Sequence, residues 1–120
     1  MGAQDQNIKY PFGAATRLAP SFAANLHLAI WNNLTLVVVA VTAAMQIDLT
    51  IDPETEDGAE LVIRVEQDAT GRAVTLGDGF AANDLGITGV ANDIDTITAK
   101  YNATTGLFEV VSITKVVDAA

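Results

Sequence analysis

Met45, Ile47, Leu49 and Ile51 alternate with Gln46, Asp48, Thr50 and Asp52. A two-residue apolar period puts one class of side chain on each face of an extended strand and cannot form a helical stripe. Leu61, Ile63 and Val65 repeat the pattern after an acidic loop, Pro53 to Gly58. Just upstream, Leu34 to Val41 is a β-branched apolar run, which predicts a strand buried on both faces. Leu26, Leu28 and Ile30 also alternate, so Ser21 to Asn32 reads as a strand rather than a short helix.

Turn chemistry separates these runs. Asp68-Ala-Thr-Gly71 is a turn signal, since Asp68 can bond the turning backbone and Gly71 can take positive φ. With Arg72 to Leu76 returning, it predicts a hairpin. Residues 77–94 are punctuated by glycine, with room for one short strand. Asp95 to Tyr101 reads as a strand with Ile97, Ala99 and Tyr101 on one face, Asn102 to Gly106 as a hairpin loop, and Leu107 to Val117 as a long closing strand. Short strands with tight turns predict an all-β chain, an antiparallel β-sandwich or jelly-roll-like domain spanning 34–120.

Residues 1–33 differ. Gln4 to Pro20 holds two of the three prolines and shows no clear period. Proline removes a backbone donor and restricts its neighbour, which predicts an extended N-terminal arm and lead-in. Ile8, Tyr10, Pro11, Phe12, Arg17 and Leu18 are its candidate docking residues, because its apolar members are costly left in water.

Charge narrows the function. Fifteen acidic against six basic residues give a net charge of −9, which repels phosphate backbones and anionic headgroups. Neither nucleic acid nor membrane is an expected partner. The absence of cysteine rules out disulfides and thiolate metal sites. Met1 to Asn7 lacks the basic-then-apolar pattern of a secretory leader, and Leu34 to Met45 is shorter than the roughly 20 apolar residues of a membrane span. With no leader expected, the glycosylation patterns at Asn33 and Asn102 are read as chance matches.

Catalysis finds little support. The one histidine, His27, lies in an apolar segment near Trp31, where a packed or hydrogen-bonded ring is expected rather than a general base. Neither a Gly-x-Ser-x-Gly elbow, a His-Glu-x-x-His pair nor a phosphate-cradling glycine loop occurs. Two acidic clusters are candidates for a hard cation such as Ca²⁺: Asp52, Glu54, Glu56 and Asp57, and Asn92, Asp93 and Asp95. Counted from Asp52, the twelfth position of a calcium-binding helix-loop-helix would be Ile63 instead of glutamate, so the first cluster is not that motif. No cofactor is expected. A sugar-binding surface needs an exposed aromatic platform, and the apolar neighbours of Trp31 predict burial.

One stretch carries a resemblance. Gln67-Asp-Ala-Thr-Gly71-Arg72-Ala-Val-Thr75, a glycine-rich stretch to Gly89, then Asp95 to Val110 with its Tyr101–Phe108 hairpin, resembles β-rich domains of phage tail fibres and other virion proteins. The pattern usually has a second glycine after Gly71; Arg72 follows directly here. The resemblance covers about the last three-fifths of the chain and implies a virion structural role, commonly as trimers, without catalytic residues. Short length, an acidic surface and an arm fit a capsid decoration (cement) protein, made in the host cytoplasm and placed on the outer capsid surface against the major capsid protein or other virion proteins. A head- or tail-fibre module contacting the host, a carbohydrate-binding module and, last, a hydrolase are the alternatives.

Overall fold

The computed structural model describes residues 16–81, 86–87 and 89–116. Among them the regular elements are all strands: β1 (Thr16–Leu18), β2 (Asn25–Ile30), β3 (Leu34–Val41), β4 (Met45–Ile51), β5 (Glu60–Gln67), β6 (Val74–Leu76), β7 (Gly86–Ile87), β8 (Ile94–Asn102) and β9 (Leu107–Val116). They form a five-stranded sheet in the order β9-β8-β5-β3-β1 and a four-stranded sheet in the order β2-β4-β6-β7.

From β1 to β6 successive strands alternate between the two sheets, so each strand pairs with the next but one. The pairs β1/β3, β3/β5, β2/β4 and β4/β6 are all parallel. Parallel neighbours need a crossover, and the intervening strand of the other sheet supplies it. The expected antiparallel arrangement is therefore corrected to mixed sheets. Only the C-terminal pairs β6/β7, β5/β8 and β8/β9 are antiparallel. Asp68 does form its turn, accepting from the N–H groups of Thr70 and Gly71 at 2.9 and 3.3 Å. That turn is a corner rather than a hairpin, because β6 leaves for the other sheet and pairs with β4.

The alternation sets what is buried. In the larger sheet one inward row runs Leu18, Val37, Ile63, Ile97, Ile113 across β1, β3, β5, β8 and β9. In the smaller sheet Leu26, Ile47 and Leu76 align across β2, β4 and β6. Both sheets contribute to one hydrophobic cluster. The expectation that β3 is buried on both faces is corrected too: Val37, Val39 and Val41 are buried while Leu36 and Val38 are half-buried. The β8–β9 hairpin closes on Tyr101 and Phe108, whose ring centroids lie 5.2 Å apart. Residues 16–33 contribute a strand to each sheet.

Candidate functional site

Strand β2 is an edge strand of the smaller sheet. Leu26, Leu28 and Ile30 point into the core, so Asn25, His27 and Ala29 face outward, and Trp31 continues that outward row just past the strand's end. Trp31 is 63% exposed. The expected burial is thereby corrected: its apolar neighbours are the inward half of an alternating strand, and position 31 falls on the other half. Leu18, Ala19, Pro20, His27, Ala29 and Trp31 line an open groove of about 380 Å³, within the range of small-ligand pockets.

The other end of this row is polar and ordered. Asp48 lies beside His27 in the β2/β4 register. It points away from the core, yet it is buried. Its carboxylate accepts from the Gln46 amide (2.9 Å), the Asp78 N–H (2.7 Å) and the Asn25 amide (3.0 Å). These donors, Gln46 first and then Asp78, hold its pKa below the ordinary carboxylate value against the opposing effect of burial. Because the Asn25 Nδ2 is committed to Asp48, the Asn25 Oδ1 faces His27 Nε2 at 2.8 Å. An amide oxygen only accepts, so His27 carries a proton on Nε2 and, when neutral, leaves Nδ1 as an acceptor.

The remaining sequence candidates are distributed. Ile8, Tyr10, Pro11 and Phe12 lie outside the described residues. Arg17 is exposed on β1, and Leu18 is partly buried against the core. Asp52, Glu54, Glu56 and Asp57 are all exposed. Asp52 turns back to accept the Glu54 N–H (2.8 Å), and Asp57 accepts the Ala103 N–H of the β8–β9 loop (2.9 Å). Among the described residues no group of three or more carboxylates or imidazoles converges as a metal would require. In the second cluster Asp93 and Asp95 are buried and face Lys115, whose Nζ lies 3.4 Å from Asp93 and 2.8 Å from Asp95.

Neither protein-family models nor curated proteins match this chain.

Sequence reading missed Trp31, the Asn25–Asp48 bond and the Lys115 pair. The signal for Trp31 was present, since extending the Leu26–Ile30 alternation by one residue puts it outside. The other two needed the strand register.

Proposed function

We propose that this chain is a non-enzymatic structural protein of a phage particle, a capsid decoration protein on the outer shell. In this reading its two mixed sheets pack as a sandwich, with an N-terminal arm extending the contact. One observation carries it: β9, an edge of the larger sheet, exposes Val111 (57%) and Ile113 (40%). At its start the edge is taken up, because Phe108 exchanges backbone hydrogen bonds with Gly79 and Ala81 at 2.8 Å each. Further on, the strand bulges between Val110 and Ser112 and continues as an edge. Exposed apolar strand edges are what proteins use, or must protect, in assembly. A net charge of −9 suits a face turned away from the genome.

The test is sedimentation of the purified chain with shells assembled from the major capsid protein of the particle it comes from. The wild type should pellet with the shells at a saturating ratio and pack there as trimers. Val111→Asp with Ile113→Asp should stay in the supernatant, and deletion of residues 1–15, ahead of β1, should weaken binding through loss of the arm. A wild-type chain that never pellets with shells would sink the decoration reading. The exposed Trp31 favours a second reading, a fibre-type module that contacts the host.

A further inference from the structure

We propose that the groove between His27 and Trp31 binds the ring of a neutral saccharide. Four residues apart on one face of an extended strand, their Cα atoms stand about 13 Å apart. Between them the outward side chain is Ala29, little more than a methyl group. The result is a slot with an indole at one end, an imidazole at the other, a shallow floor, and Ala19 and Pro20 along one side.

Each part suits a pyranose and suits other ligands less well. The exposed indole offers an apolar face with a polar edge, on which the C–H face of a sugar ring stacks. The residue after Trp31 is tied down: Asn32 bonds Thr16 Oγ1 through Nδ2 (2.8 Å) and accepts the Asn33 N–H (2.7 Å). His27 is oriented by Asn25, and Asn25 by the buried Asp48, so the ring presents Nδ1 to a hydroxyl in one orientation. A pre-oriented polar group loses less entropy on binding than a free one. No carboxylate is among the described residues lining the groove, so a cation finds no counter-charge there. The net charge of −9 disfavours acidic sugars. The site stands independently of any role in assembly.

Trp31 is the chain's single tryptophan, so intrinsic fluorescence of the full chain reports on this groove directly. The probes are maltose, cellobiose, lactose and diacetylchitobiose as neutral sugars, sialyllactose as an anion, and acetyl-lysine methylamide as a cation. At least one neutral disaccharide should shift the emission saturably in the millimolar range. Ala29→Leu, which fills the floor and keeps both walls, and His27→Ala should each weaken it about tenfold, the scale of one lost contact. Trp31→Ala should abolish binding read by saturation-transfer NMR. Far-UV circular dichroism checks that each variant folds. Silence of all four neutral sugars, undiminished binding by Ala29→Leu, or saturable binding of the lysine probe alone would each overturn the proposal.

Discussion

Asp48 occupies an outward strand position and is nonetheless buried, because three donors from three segments close over it. Its pKa is lowered in the fold, so the stability it contributes is present above the ordinary carboxylate range near pH 4. That stability is lost as the pH falls through its folded-state value. Asp48→Asn should cost about 1–3 kcal/mol at neutral pH by leaving donors unpaired. The gap to wild type should shrink in thermal melts as the pH is lowered towards about 2.5; a gap independent of pH would clear Asp48 of this role. Lys115 has the opposite sign. Its hydrogen bond to Asp95 raises its pKa, so its contribution is complete below the unfolded lysine range near 10.4 and is lost only as the pH rises through the raised value. Lys115→Ala leaves Asp93 and Asp95 buried without a counter-charge. Urea titration should show a loss of about 2–4 kcal/mol, moderated because the ammonium is partly solvated. Glycines divide similarly. A Cβ at Gly71 (φ +81°) would meet Gly89 O at 2.8 Å and Ala91 N at 2.9 Å, whereas one at Gly58 (φ +87°) meets nothing within 4 Å. Gly71→Ala should therefore lose clearly more stability in the same titration than the roughly 1 kcal/mol expected for Gly58→Ala from backbone strain alone.

At the scale of elements, the inward row of β3, β5 and β8 that includes Val39 and Val65 ends on Asp95 and Lys115. The apolar sheet thus meets solvent at β9 through an ion pair. Beyond Val110 the β9 side chains pass out of the core: Ile113 aligns with the fully buried Ile97 yet is 40% exposed. Val111→Asp with Ile113→Asp should consequently change unfolding free energy by less than about 1 kcal/mol, as surface substitutions do. The same pair should lower whatever self-association light scattering detects at high concentration; a large loss of stability would show that β9 is held more tightly than its exposure indicates. Most strands were readable, although β1 fell inside the stretch read as an arm. Alternation located β2, β4, β5 and β8, and the Asn102–Gly106 loop announced its hairpin. The corner at Asp68–Gly71 was legible as a turn but not as a change of sheet, because turn residues set local φ and ψ and carry no information about which partner the next strand finds.

For the whole molecule, that sheet-to-sheet alternation makes most strand pairings distant in sequence. Loop closure must precede the contacts that reward it, so refolding from urea should take between about a millisecond and seconds. Because both sheets feed one hydrophobic cluster, far-UV circular dichroism and hydrogen exchange of the β2 and β8 amides should report one transition in common. Separate transitions for the two sheets would contradict the shared core. The sequence by itself determined that the chain is all β, where most strands lie and which of their faces is apolar, since a period of two is a local property of extended backbone. It also set the acidity that bears on the choice of partners, but the apolar neighbours of Trp31 pointed it inward, and only the structure put that side chain in the outward row with His27. Parallel pairing, the burial of Asp48 and the Lys115–Asp93–Asp95 contact were decided only by tertiary structure. Each depends on which strands become neighbours and in what register, and that choice belongs to the packing of the whole core.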